Sequence, residues 1–350
     1  MPRGPKGVTI NDVAARAGVS LSTVSRALNG NPTVDPALVA RVQQAAAELE
    51  YTASPVARSL VLGRTQTVAV VVPDLGNPTF QAILRGLSRA AAADDYHVLV
   101  ADSAESVDEE RALAATTRRR TDGVILCAPR MPQAELDRLV GGLRPVVLVN
   151  RSSDDVPAVR ADYRSALTDE LDLLYALGHR SMVFLSGVAR SVANTSRLEA
   201  IAAFAASHPD VAIEELPCGV DFDAGAASAD AVISSGATAA LAFNDLVAMG
   251  LLSAVQAAGC RVPDDLSVVG FDDIPFARYT SPPLTTATVP AAQLGAQAWA
   301  RMRGLLEGEA PRDPLWLRPE LVARGTTGPR GPAAGGVAAD SGDAETNEFD

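Results

Sequence analysis

From residue 65 onward the chain alternates between short apolar runs and longer helical stretches. "TVAVVVP", "HVLVAD", "DGVILC" and "PVVLVN" come first, then "SMVFLS", "AALAF" and "LSVVGFD". Between them stand "FQAILRGLSRAAAA", "RSALTDELDLLYALG" and "DLVAMGLLSAVQAAG". Such alternation predicts parallel sheets covered by helices on both faces. The pattern occurs twice, with a break near Arg151–Asp162, so two doubly wound α/β lobes with a cleft between them are expected. Ligands in such folds sit beyond the carboxyl ends of the strands. The polar residues there are Asp74 and Asn77, Asp102, Asn150 and Arg151, Asn244 and Asp245, and Asp272 and Asp273. A strand-end Asp or Asn can equally cap the following helix, and about half of these are read that way. Carboxylates and amides converging on one cleft favour a ligand with vicinal hydroxyls, hence a sugar.

Hydrophobic residues make up 47% and charged residues 21% of the chain, the balance of a globular protein with a substantial core. No stretch approaches the roughly 18 uninterrupted apolar residues of a membrane span. "MPRGPKGVTINDVA" carries cations without an apolar run behind them, so no secretion signal is expected and the cytoplasm is the expected compartment. Cys127, Cys218 and Cys260 lie far apart without metal-ligand spacing and read as reduced thiols. The histidines are His97, His179 and His208; His179, in "LGHRS", reads as structural at a helix-to-strand turn. Neither G-x-S-x-G, H-E-x-x-H nor a P-loop occurs. An enzyme, a cofactor and a metal site are therefore not expected. A transport-type solute-binding protein would share such a body, but it would need a secretion signal and would lack the segment that precedes the body.

The net charge of −12 is unevenly spread. Through Arg64 there are seven Lys and Arg against four acids, leaving 23 of the 30 cations and 38 of the 42 acids to the rest. A basic head on an acidic body fits a small nucleic-acid module joined to something else. Three helices are expected in that head. Thr9 and Asp12 make a capping-box-like start, followed by Ile10, Val13, Ala14 and Ala17 at helical spacing. Gly18 supplies a turn and Ser20 an N-cap for the second helix; Asp35 and Pro36 open the third, with Val34 and Val39 spaced as a hydrophobic staple. On a helical wheel of about 100° per residue, the second helix gathers Ser20, Thr23, Val24, Ala27 and Leu28 on one side. Leu21, Ser22, Ser25, Arg26 and Asn29 gather on the other. Short hydroxyls and a guanidinium suit the phosphates and base edges of a major groove, and two short helices around a Gly turn match a helix-turn-helix. A plain three-helix bundle accommodates the same residues.

"VTINDVAARAGVSLSTVSRALNG" resembles, almost position by position, the amino-terminal signature of the lac-repressor (LacI/GalR) family of bacterial transcription regulators, and "VARVQQAAAELEY" resembles that family's third helix. "VVPDLGNPTF", "FNDLVAMGLLSAVQAAGCRVPDDLSVVGFDD" and "YTSPPLTTATVP" are similar to its periplasmic-binding-protein-type core, so the resemblance covers about residues 8 to 327. It implies a small all-α helix-turn-helix head (1–50), a hinge helix or linker (51–64) and an α/β body (65–328) of two doubly wound parallel-sheet lobes. The N-lobe would span about 65–161 and 291–318, the C-lobe about 162–290 and 319–328. It further implies a repressor acting as a homodimer on palindromic double-stranded operator DNA, since two-fold protein symmetry mirrors the half-sites. Operator affinity would be controlled by a small effector, a sugar or sugar derivative, held between the lobes.

By the same resemblance Leu21, Ser22 and Arg26 occupy base-reading positions, and Thr9, Ser25 and Asn29 phosphate-contacting ones. In "YTASPVARSLVLGRT", Ala57 and Leu60 fall on the DNA side, Leu60 as an apolar wedge for the minor groove. The family's proline usually stands where this chain has Ala53, two positions before Pro55. Phe80, Asn150, Asp162, Arg197, Phe222, Asn244 and Asp272 match effector-pocket positions. Ala200 and Ile201 depart from the pattern, which has a Gly and an aromatic there, and Ala291 stands where some members present an aromatic. Residues 329–350, rich in Gly, Ala and acids, are expected to be disordered. They lack the leucine heptads of a tetramerisation helix, so a dimer is expected.

Overall fold

The computed structural model describes residues 8–28, 31, 33–51, 63–154, 156–310 and 313–330. At the amino-terminal end, α1 (Ile10–Ala17), α2 (Leu21–Leu28) and α3 (Pro36–Glu48) form a small bundle. The Asp12 carboxylate accepts from the Thr9 amide at 2.8 Å and the Thr9 hydroxyl at 2.7 Å, pinning the start of α1. Ser20 Oγ accepts from Thr23 N at 3.2 Å, and Asp35 accepts from Ala37 N at 2.7 Å, so both expected caps are in place. Val13, Val24 and Val42 are wholly buried among Ala17, Ala27 and Ala45, with Val34 and Val39 packed on that cluster.

The body begins with β1 (Thr67–Val72), α4 (Pro78–Ala92), β2 (His97–Asp102), α5 (Val107–Arg118), β3 (Gly123–Cys127), α6 (Gln133–Gly142), β4 (Val146–Val149) and β5 (Ala158–Ala161). It continues with α7 (Tyr163–Ala176), β6 (Ser181–Ser186), α8 (Val192–Ser207), β7 (Ala212–Pro217), α9 (Phe222–Ala227), α10 (Ala229–Ser234), β8 (Ala239–Ala242), α11 (Asp245–Ala257) and β9 (Ser267–Val269). The last elements are β10 (Thr286–Thr288), α12 (Ala291–Leu306), β11 (Leu315–Leu317) and β12 (Glu320–Val322).

Six strands form one parallel sheet in the order β11-β5-β4-β3-β1-β2, and four form a second in the order β7-β6-β8-β9. β10 and β12 pair antiparallel as a short ribbon. In the first sheet Val70 faces Val100 on one side and Ile125 on the other. Alternate residues feed opposite cores: Val68, Val70 and Val72 meet Ile83, Leu87 and Trp299 from α4 and α12, whereas Ala69 and Val71 meet Leu136 and Val140 from α6. The second sheet is likewise covered twice, Val183 and Leu185 against Val247 and Leu251, Met182 and Phe184 against Leu167 and Phe204. Burial on both faces is what parallel strands require, and the near-continuous apolar runs of the sequence reflect it.

Two helix pairs cross at contact distance through reciprocal glycines. A Cβ on Gly86 of α4 would lie 2.0 Å from the Ala292 carbonyl oxygen of α12, and one on Gly295 would lie 2.0 Å from that of Ile83. In the other lobe Gly225 of α9 and Gly250 of α11 repeat the arrangement, 2.1 Å from Val247 O and 2.0 Å from Phe222 O.

The chain passes between the two sheets three times: from β5 into α7, from β9 through β10 to α12, and from β11 into β12. The expected architecture of an all-α head and two parallel-sheet lobes is the one observed. Five strands carried no clear signal. β7 (AIEELP) is an exposed edge strand with two adjacent acids at its centre, and β5, β10, β11 and β12 have only three or four residues each.

Candidate functional site

In the head, α2 turns Val24 and Ala27 inward and leaves Leu21, Ser22 and Arg26 exposed, with Ser25 half-buried. Ser20 Oγ lies 2.9 Å from Ser22 Oγ and 2.8 Å from Thr23 Oγ1, while Arg26 Nε donates to the Ser22 carbonyl at 3.3 Å. The outward face is therefore a strip of short hydroxyls and one guanidinium, and exposed Thr9 sits at the cap of α1. Asn29, Ala57 and Leu60 lie outside the described residues.

In the body, a cleft lined from both lobes opens between the two sheets. Every wall segment follows the carboxyl end of a strand or starts the next helix. Asp74, Asn77 and Phe80 follow β1; Glu105 follows β2; Pro129 and Arg130 follow β3; Asn150 follows β4. From the second lobe come Ser191 after β6, Val220 after β7, Phe243 after β8 and Asp272 after β9, with Tyr163 and Arg197 on α7 and α8.

Of the seven residues expected in the pocket, Phe80, Asn150, Arg197 and Asp272 line the cleft and three do not. Asp162 caps α7, its Oδ1 accepting from Ser165 N at 3.1 Å. Asn244 caps α11 through Val247 N at 2.9 Å and donates to the Val220 carbonyl at 2.8 Å, so it stands behind a lining residue. Phe222 opens α9 and is 45% exposed. Asn150, at φ 54°, donates from Nδ2 to the Tyr163 hydroxyl at 2.8 Å and accepts from Ala161 N at 2.9 Å. That bond holds the Tyr163 ring in the cleft.

Other strand-end candidates brace the walls. Arg151 donates to the Pro129 and Met131 carbonyls at 3.1 and 2.9 Å, and Asp102 accepts from Leu75 N and Ala104 N. Asp245 accepts from Ile274 N and Thr286 Oγ1; Asp273 pairs with Arg324 at 2.5 Å. His179 is buried between Thr238 Oγ1 (2.8 Å) and the Gly328 carbonyl (3.1 Å), the structural placement its turn suggested.

The electrostatics of the cleft are set by burial. Asp272, which accepts from Thr79 Oγ1 at 2.8 Å, has its carboxyl pushed up to about 6 by desolvation, against the opposing charge of Arg197. Desolvation also lowers the Arg197 guanidinium, which lies 3.9 Å over the Phe271 ring and 4.7 and 4.8 Å from Phe243 and Tyr163. Such an aromatic box stabilises a desolvated cation. Nothing local marks Tyr163, Phe243, Glu105 or Arg130 as lining residues: each reads as an ordinary helix-start, strand-end or loop residue until the fold gathers them. Among the described residues no group of three His, Cys, Asp or Glu could hold a metal ion, and no helix is long and apolar enough to cross a membrane.

Residues 9–54 match the family of bacterial regulatory proteins named after lacI, and residues 171–327 match a periplasmic binding protein-like domain. The chain is 31% identical over 327 residues to the HTH-type transcriptional repressor CytR of Escherichia coli K12, covering 91% of this chain and 96% of that protein. Its fold superposes on the crystal structure of the lac repressor dimer bound to operator and the anti-inducer ONPF with a TM-score of 0.84, at 26% identity over 92% of this chain and all of that one. A LacI family transcriptional regulator from Enterococcus faecium with bound ribose matches with a TM-score of 0.67 at 25% identity, over 75% of this chain and 99% of that one. The head with its exposed hydroxyl strip, the two-lobed body and these likenesses converge: the chain belongs to the lacI family of bacterial regulatory proteins and is a DNA-binding transcriptional regulator.

Proposed function

We propose that the cleft takes a small hydroxylated effector, a sugar or sugar derivative, whose occupancy sets the head's affinity for a palindromic operator. One observation carries the reading: a carboxylate, a guanidinium, an amide and a phenol converge with Phe80 and Phe243 at the carboxyl ends of both sheets. Paired acceptors and donors fix vicinal hydroxyls, and aromatic faces cover the apolar face of a ring. The ribose complex of the Enterococcus regulator supports the same chemical class. Phe80, Asn150, Arg197 and Asp272 are assigned to the effector directly; Asp162, Asn244 and Phe222 join it through the loops that they cap or open.

In the head, Leu21, Ser22 and Arg26 are assigned to base edges, Thr9, Ser25 and Asn29 to phosphates, and Ala57 and Leu60 to the minor groove. The corresponding units are a DNA-binding head (1–50), a hinge (51–64) and an effector body (65–328). The protein works as a cytoplasmic homodimer repressor, as the operator-bound lac repressor dimer suggests. Effector binding changes the angle between the lobes about the three chain crossings, which moves the two hinge segments of the dimer relative to each other. The shift is bounded by the difference in effector affinity between the two states.

Selection from a randomised palindromic DNA pool at fixed salt, with and without a mixture of common sugars, tests this. A selected palindrome released or tightened by one sugar fraction supports the whole reading. A palindrome indifferent to every sugar removes the sugar, and no selection at all removes the recognition helix.

A further inference from the structure

Two guanidiniums line the cleft, and one of them is already matched from within the protein. Arg130, 6% exposed, is gripped by Glu105 through parallel bonds, Nε to Oε2 at 2.7 Å and Nη2 to Oε1 at 2.8 Å, while its Nη1 donates to the Ala128 carbonyl at 3.1 Å. This fork saturates the face that a ligand phosphate or carboxylate would use. Arg197, 2% exposed, sits in its aromatic box with Nε and Nη1 lacking any hydrogen-bond partner. Its charge is answered at longer range by Asp272 on the cleft side. Glu170 of α7 is 1% exposed with neither carboxyl oxygen partnered, and burial holds it well above the ordinary carboxylate range.

The lining of the cleft therefore holds Asp74, Glu105 and Asp272 against Arg130 and Arg197. A phosphate or carboxylate on the ligand would add negative charge to a surplus of acids, in a low-dielectric enclosure where like charges repel most.

We infer that this cleft selects an effector bearing no phosphate or carboxylate, and that Glu105 sets the exclusion by occupying the Arg130 fork. The inference rests on reading the cleft as the effector site. It divides sugars into two classes: free sugars, glycosides and nucleosides are admitted, while sugar phosphates and sugar acids are refused.

Inorganic phosphate is the first probe, titrated by calorimetry and thermal shift at constant ionic strength with chloride as the reference. Wild-type protein is expected to show no saturable phosphate binding dependent on Arg130 or Arg197. Glu105→Gln frees the Arg130 fork and is expected to bind phosphate at least about tenfold more tightly than wild type. Adding Arg130→Gln to that variant is expected to abolish the gain. This dependence separates the cleft from phosphate held by the basic head. The Glu105 side chain is near the surface at 23% exposure, so the variant is expected to fold. Wild-type phosphate binding lost with either arginine overturns the inference, as does a folded Glu105→Gln blind to phosphate.

Matched pairs form the second arm: D-ribose against ribose 5-phosphate, D-glucose against glucose 6-phosphate and glucuronate. Any pair that binds is expected to bind through its uncharged member, and preference for an anionic member overturns the inference. Silence of every free sugar, together with phosphate uptake by Glu105→Gln, would remove the sugar reading and keep the charge selection.

Discussion

Arg26 rests on the exposed face of α2 with its Nε 3.3 Å from the Ser22 carbonyl, a long bond that it can exchange for a guanine edge. Arg26→Ala is expected to weaken operator binding relative to random DNA by about 1–3 kcal/mol while effector affinity stays unchanged. Competition anisotropy measures this, and an unaltered operator preference would take Arg26 out of base reading. Asp272 is the reverse case. Asp272→Asn is expected to abolish the effector response and leave operator binding in place; a variant that still responds removes the carboxylate from the pocket. Because its carboxyl is raised to about 6, bonds that ligand hydroxyls donate to it weaken as pH falls through that value. Of the cleft residues, Asp272, Asn150 and Asn77 were legible because position alone, just past an apolar run, announces them. Tyr163 was not, since nothing local says that Asn150 will hold its ring in the cleft; Glu170 was hidden in a helix of alternating acids and leucines. What the sequence cannot display is which long-range neighbour a side chain will meet.

Among elements, the crossing helices make the sharpest claim. Gly295→Ala places a methyl 2.0 Å from the Ile83 carbonyl oxygen, and Gly250→Ala does the same against Phe222. Neither backbone can yield without moving a whole helix, so each substitution is expected to cost about 3 kcal/mol, read as a lower urea midpoint. Gly141→Ala in α6 is the control: nothing lies within 4 Å of the added methyl, and the change is expected to be neutral or stabilising by up to about 1 kcal/mol. A Gly295→Ala protein as stable as wild type would show that the crossing is loose. Element type was legible wherever the burial was two-sided, as in β1, β3 and β4, whose residues from Val68 to Val149 are almost all buried. β7 escaped because four of its six residues are exposed and two adjacent acids interrupt its apolar residues, so no apolar run marks it as a strand.

At the scale of the whole molecule, buried acids set the response to pH. Desolvation raises Glu110 to about 7 and Asp272 to about 6, and it holds Glu170 and Asp245 well above the ordinary carboxylate range. From about pH 4 upward the unfolded chain releases these protons first, so stability falls as pH rises towards 7. Asp94, Asp137 and Asp265 act oppositely: hydrogen bonds hold their carboxyls low, so the stability they add is lost as pH drops below their unfolded values. Maximum stability is therefore expected near pH 5, located by thermal melts across pH 3–8. Glu110→Gln is expected to shrink the loss between pH 5 and pH 8 by about 2 kcal/mol; an unchanged slope would acquit Glu110.

The return of the chain to its first sheet has a consequence for synthesis. β11 at residues 315–317 completes a sheet whose other five strands end at residue 161, and α12 covers a core begun at Val68. While the ribosome makes the second lobe, the first waits unfinished, with Ile83 and Leu87 lacking the helix that will cover them. The order of translation is thus not the order of completion: the lobe begun first is sealed only after the second has been made.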